Sequence, residues 1–158
     1  MAFEQNPYAI KVTMVADASA ASGTSTSVAL QTQYTFVKIA SASITGANES
    51  GSVATAVTAI TDRPLGILQN QPKAWFNASS ALEGVSEAEV TVSGVTKVVA
   101  GGTISVGSVI GTSATGTAVA IVPGTATTQY ILGTALTAGV AGDIITIAVA
   151  CHNSARAA

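Results

Sequence analysis

The residues of this chain that could do chemistry are few, and their spacing suits chemistry poorly. Glu83, Glu87 and Glu89 fall close together, and Glu87 and Glu89 alternate around Ala88 as same-face neighbours on an extended strand do. Two carboxylates divide acid and base roles only when their surroundings drive their pKa values apart, and the small residues around these supply no such asymmetry. Cys151 and His152 are adjacent in the C-terminal run CHNSARAA, with no second pair of ligands at metal-binding spacing. The same lone His leaves a Ser-His-acid triad dependent on a terminal tail, which reads as frayed. The run VAGGTISVGSVIG lacks the Gly-Lys-Ser/Thr of a phosphate loop and opens no helix. Neither a catalytic constellation, a metal site nor a cofactor site is expected. Lys97, in GVTKVV, would need a turn to display it for acyl or biotinyl attachment. The glycine pair 101–102 comes only after it, so Lys97 falls inside a strand.

What remains is apolar and aromatic. Trp75 and Phe76 are adjacent, and read either as an exposed docking anchor or as a lid over one end of the domain. At the N-terminus, Phe3 precedes Tyr8, Ile10, Val12 and Met14, and the last four alternate like a strand. The Ser/Ala/Gly/Thr run ASAASGTSTS follows them and reads as a flexible connector. Residues 1–27 are therefore expected to form an extended arm. The arm pairs with a neighbouring subunit by strand addition, or else is an edge strand of its own domain.

The elements that must position these residues are strands. VALQTQYTFVKI (28–39) and VATAVTAI (53–60) flank a Ser/Gly/Asn-bearing turn region (41–52). Pro64 and Pro72 bracket a short strand, Leu65–Leu68, because proline lacks the amide that a central ladder needs. Gly101-Gly102, Gly107-Ser108 and Gly116 read as hairpin turns, and a bulge at Gly94 would accommodate the change of face between Val92 and Val95. In DIITIAV (143–149), Ile145, Ile147 and Val149 share one face. The one helix candidate is ASSALEGVSEAE (78–89), with Asn77 or Ser79 as cap. PLGILQN followed by EAEVTV is echoed by ILGTALT followed by AGDIITI, the first copy carrying the insertion KAWFNASSALEGV (73–85); the pair reads as a repeated β unit. The fold class is all-β: a small β-barrel or sandwich-like domain over 28–150, with an extended N-terminal arm (1–27), a C-terminal tail (151–158) and little helix.

Composition sets the outer limits. The 158 residues favour one domain with a substantial core. Charged residues make up 9 %, against roughly a quarter in an average soluble protein. The net charge of −2 comes with basic residues scattered singly, which excludes a nucleic-acid surface. So small a net charge opposes self-association little. No apolar run approaches the ~18 residues of a membrane span, and MAFEQNPYAI has no secretory pattern, so synthesis and retention in a cytoplasm are expected.

Four segments in order, QYTFVKI (33–39), DRPLGILQNQPKA (62–74), EAEVTVSGVTKVVAGGTISVGSVIGTSATGTAVAI (87–121) and YILGTALTAGVAGDIITIAV (130–149), resemble the capsid decoration, or capsid cement, proteins of tailed bacteriophages. The resemblance spans most of 28–150. It implies a non-enzymatic virion protein on the capsid exterior, commonly a homotrimer, that clamps neighbouring major capsid protein subunits against internal pressure. Phe3, Tyr8, Ile10 and Val12 would then face the capsid, and removal of residues 1–15 should leave the domain folded. The chain departs from the family at 75–85, where WFNASSALEGV is inserted. A different reading is a fibre or adhesin-type module that recognises a glycan or host surface through Trp75 and Phe76. A third is a carrier domain centred on Lys97.

Overall fold

The computed structural model describes residues 9–17, 27–43, 50–151 and 154–157. Phe3 and Tyr8 lie outside the described residues. The strands are Ile10–Ala16 (β1), Ser27–Ala29 (β2), Phe36–Ser43 (β3), Ser50–Ala56 (β4), Gly66–Leu68 (β5) and Lys73–Phe76 (β6). They continue with Leu82–Val85 (β7), Glu87–Val99 (β8), Val109–Thr112 (β9), Ala118–Ala120 (β10), Gly133–Ala135 (β11) and Ile144–Ala150 (β12). The described residues contain no α-helix, and the all-β expectation holds.

Five strands close a barrel in the order β1-β4-β3-β5-β8-β1. All contacts are antiparallel except β1 with β4, which is parallel at Val15↔Val53 and Ala16↔Ala54. Its interior holds Ala16, Val37, Ala54, Leu68, Ala88 and Val90. The long strand β8 then leaves this barrel: β1 runs along it from Glu87 to Ser93, and β12 from Ser93 to Val99. Beyond β12 the ladder continues through β11 and β9 to β10. There Ala118 bridges back to Ala100, just past the end of β8, so the second group of strands also curls on itself.

The two groups share their cores. Phe36 and Ile67 pack with Val98, Ile110, Leu132, Ile145 and Ile147 in the second core, while their chain neighbours Val37 and Leu68 point into the barrel. Strands β3 and β5 are thus apolar on both faces where they lie between the cores, which is why Phe36-Val37 and Ile67-Leu68 break the polar–apolar alternation. Each such side chain contributes roughly 1.5–3 kcal/mol by burial.

Glycine makes two of these contacts possible. A Cβ on Gly66 would sit 2.3 Å from the Thr91 carbonyl oxygen, and one on Gly133 would sit 2.2 Å from that of Ala148. The glycines open β5 and β11, the short strands beside β8 and β12, and β8 and β12 pair antiparallel with each other. The sequence echo therefore has a structural counterpart: β5 on β8 and β11 on β12. Gly94, with φ 113°, takes a conformation costly to any other residue.

Several expectations are corrected. The parity of β8 does not change at Gly94, since Ala88, Val90, Val92, Thr96 and Val98 are all buried. The irregularity instead falls opposite β1, where Ile10 faces Ser93 and Lys11 faces Thr91, leaving Val92 as the extra residue. Residues 78–89 form no helix. Asn77 caps a turn, accepting at Oδ1 from the amides of Ser79 and Ala81, but Ser80 takes φ 60° and ends it. The insertion becomes the hairpin β6–β7, with β2 on its other edge. Gly101-Gly102 makes no hairpin, because β9 pairs with β10 and β11 and Gly101 donates to Ala118. The described residues near the C-terminus are not frayed: Cys151 is in the second core, Ile131 donates to Ala155, and Ala157 donates to Gln129 and is fully buried. Arg156 stacks over the Tyr130 ring, 5.3 Å from its centroid.

Candidate binding surface

Strand β1 carries one apolar stripe from the barrel core into solvent. Ala16 is buried, Met14 is partly buried against the core, Val12 is 37 % exposed and Ile10 is 55 % exposed. The alternation seen in the sequence is therefore a single face, and its outer half extends past the barrel's packed interior. The strand is anchored by ladder bonds to β8 and by Lys11, whose Nζ lies 2.5 Å from Glu89 Oε1. Its pairing with β4 begins only at Val15.

This placement argues against one expectation. Removing residues 1–15 would take away most of a barrel-closing strand, so the remaining domain should not stay intact. Of the four proposed capsid-facing residues, Ile10 and Val12 are brought together on one exposed face, and Phe3 and Tyr8 lie outside the described residues.

Trp75 and Phe76 are separated by the alternation of β6. Phe76 is buried, while Trp75 is 43 % exposed and lies over Gly84, whose missing side chain leaves room for the indole. The pair is thus neither a loop anchor nor a loop lid: one ring supports the small sheet and the other is presented on it.

Glu83, Glu87, Glu89 and Lys97, the ionisable side chains singled out in the sequence, do not converge on one site. Glu83 and Glu87 are exposed, Glu89 is engaged by Lys11, and Lys97 projects from the C-terminal part of β8 opposite Thr146. Among the described residues no three His, Cys, Asp or Glu side chains form a metal-binding group. Sequence reading assigned no role to Asp62, which holds the turn before β5. Its carboxylate accepts from Lys38 Nζ at 2.7 Å and from the amides of Thr58 and Ala59 at 2.9 and 3.0 Å. These bonds, that from Lys38 first, lower its pKa to about 2. An open cleft of about 370 Å³ lies among Ile39, Arg63, Pro64, Leu65 and Cys151. Burial pushes the Cys151 thiol up to about 12, so it offers no nucleophile there. Among the described residues the surface presents apolar area at Ile10 and Val12 and, ahead of Val15, an edge of β1 that does not pair with β4.

No protein-family model matches the chain, and no curated protein matches it. Among solved structures, the chain is similar to the N base of the head fiber gp8.5 of bacteriophage phi29. The TM-score is 0.50 at 17 % identity, over 90 % of this chain and 96 % of that one. At that identity the likeness is one of fold.

Proposed function

We propose that this chain is a non-catalytic structural protein of a phage virion, attached to the outside of the head, where it stabilises the shell by clamping neighbouring major capsid protein subunits as a homotrimer. The observation that carries this reading is the near end-to-end fold likeness to the base of a phage head fibre, which independently meets the sequence resemblance to capsid decoration proteins. The solvent-facing half of the β1 stripe, Ile10 and Val12, supplies the capsid contact. Apolar side chains of this size gain most when a partner covers them fully. Synthesis is in the host cytoplasm, and neither nucleic acid nor membrane is a partner.

The test uses phage particles from a native lysate. The protein is quantified against the most abundant shell protein, stripped, and replaced with recombinant chain. A saturable, near-stoichiometric ratio supports the clamp, and an Ile10→Ser/Val12→Ser double variant should then bind at least tenfold more weakly while remaining folded. Absence of the chain from particles overturns the proposal.

The solved neighbour is itself a fibre base, which favours a second reading in which this chain is the base of a fibre or adhesin that meets a glycan or host surface. A few copies per particle, and loss of ligand binding in Trp75→Ala with shell stability unchanged, would decide for it.

A further inference from the structure

Strand β3 runs on past one of its partners. It pairs with β4 from Val37 to Ser43, but with β5 only at Phe36 and Val37. The carbonyls of Thr35 and Val37 face β5, accepting from the amides of Leu68 and Leu65 at 2.9 and 2.8 Å. Backbone groups alternate between the two edges of a strand, so those of Ile39 and Ser41 face the same way as those of Val37. Beyond Val37 that edge has no strand beside it among the described residues. Such a row of unmade ladder bonds is a template for another extended chain. The lane beside Ile39, whose side chain is 53 % exposed, opens into the cleft of about 370 Å³ that Arg63, Pro64, Leu65 and Cys151 also line. Arg63 brings the one charge among these lining residues. Its Nε donates to Ser154 Oγ at 3.4 Å, and among the described residues no carboxylate pairs with it. The adjacent acid, Asp62, is taken by Lys38, and β4 separates Asp17 from Ile39.

We infer that this lane binds the C-terminal end of another protein chain, laid antiparallel on β3 with its carboxylate on Arg63 and an aliphatic last side chain in the cleft. Direction and charge together decide the occupant. A chain antiparallel to β3 runs the same way as β5, so its C-terminal end arrives at Leu65. There the backbone of this protein already fills the lane, and the incoming chain must stop. A chain laid parallel to β3 would instead begin at that point and bring an ammonium group towards Arg63. A terminal carboxylate is the complement: the guanidinium, oriented by Ser154, can hold both its oxygens through its terminal nitrogens. Main-chain bonds to Ile39 and Ser41 supply the rest of the contact, as in strand addition and terminal-carboxylate capture generally. The inference goes beyond the proposed function and does not rest on it.

The experiment is affinity selection on the immobilised full chain from a randomised hexapeptide library with free C-termini, in competition with the same library amidated. The acid forms should be recovered at least about tenfold over the amides, with Val, Ile or Leu enriched at the last position. Arg63→Gln should remove the preference for acid over amide. Ser41→Pro deletes an amide on the open edge that the fold does not use, a place where a strand tolerates proline. It should keep the wild-type urea midpoint and weaken the selected peptides at least about tenfold. Equal recovery of acids and amides, or no recovery of either, overturns the inference. So does an Arg63→Gln variant that keeps the preference, or a folded Ser41→Pro variant that binds as the wild type does. Recovery of amides alone would assign the edge to an internal segment, such as one from a second copy. Binding of 4-methylpentanoate as tight as that of the selected peptides would assign the cleft to a small free acid; either result overturns a chain terminus as the occupant. Absence of the protein from phage particles would overturn the proposed function and leave this inference standing.

Discussion

Asp62 and Cys151 are each held by a different part of the same physics, and each gives a measurable response. Asp62 has its carboxylate bonded by Lys38, Thr58 and Ala59, and its pKa falls from 3.8 to about 2. A carboxylate whose folded pKa lies below its unfolded one stabilises the fold above the unfolded value. That stabilisation is lost as pH falls from about 4 towards 2. The group is partly solvated, so screening limits its worth to roughly 1 kcal/mol. Asp62→Asn should lower stability at pH 7 by about that amount, and should flatten the dependence on pH between 4 and 2, both read from urea midpoints. Cys151 shows the opposite effect, burial disfavouring the thiolate. At pH 8 the native thiol should react with an aromatic disulfide reagent at least about 100-fold more slowly than in urea. Rapid native labelling would contradict its place in the second core. Neither response was legible in the sequence. Asp62 reads there as an ordinary turn residue, and the Cys-His pair near the terminus gives no sign that the chain continues back along residues 129–131.

At the level of elements, what the sequence showed well was period, and what it hid was partnership. Ile145, Ile147 and Val149 alternate in the chain and are all buried on β12. Pro64 and Pro72 bound the strand that became Gly66–Leu68. Tyr8 to Met14 also alternate, but alternation cannot say that the strand would join β8 and β4 of its own barrel, since a pairing partner distant in sequence leaves no local mark. The helix expected over 78–89 rested on a cap that does exist at Asn77. The residues beyond it found antiparallel partners in β6, and that tertiary pairing overrode the local signal. The repeated Leu-Gly of 65–66 and 132–133 was the most informative local signal, because each glycine lets a short strand approach a long one. Gly66→Ala and Gly133→Ala should each therefore cost about 1–3 kcal/mol, the range for an overpacked core. Gly102→Ala, where a Cβ would meet nothing within 4 Å, is the control and should be nearly neutral in the same unfolding assay. Equal effects at all three positions would show that loss of chain freedom, not close approach, explains the glycines.

The whole molecule poses the question of whether its two strand groups are separable. Barrel closure through β1 and the curl of β9 to β12 would each look like a domain if the backbone alone were considered. Three features argue for one cooperative unit. Strand β8 serves both groups, with its partners changing at Ser93. The outer faces of β3 and β5, at Phe36 and Ile67, are part of the second core, so that core loses a wall if the barrel opens. The turn at Gly116 is bonded to β3 as well, through the Phe36 amide at 2.7 Å. Two residues report on the two sides independently: Trp75 sits on the sheet attached to the barrel, and Cys151 in the second core. Trp75 fluorescence and Cys151 thiol exposure, followed through the same urea series under fast-reclosing conditions, should give coincident midpoints and equal slopes, as two-state unfolding requires. A cut introduced by β1 removal should then expose Cys151 as readily as it exposes the barrel. Separate transitions, with Cys151 protected after the Trp75 signal is lost, would show instead that β8 to β12 fold alone and that the barrel is an appendage. The shared wall of Phe36 and Ile67 predicts the first outcome, because a core that borrows side chains from a neighbour cannot stay dry once that neighbour unfolds.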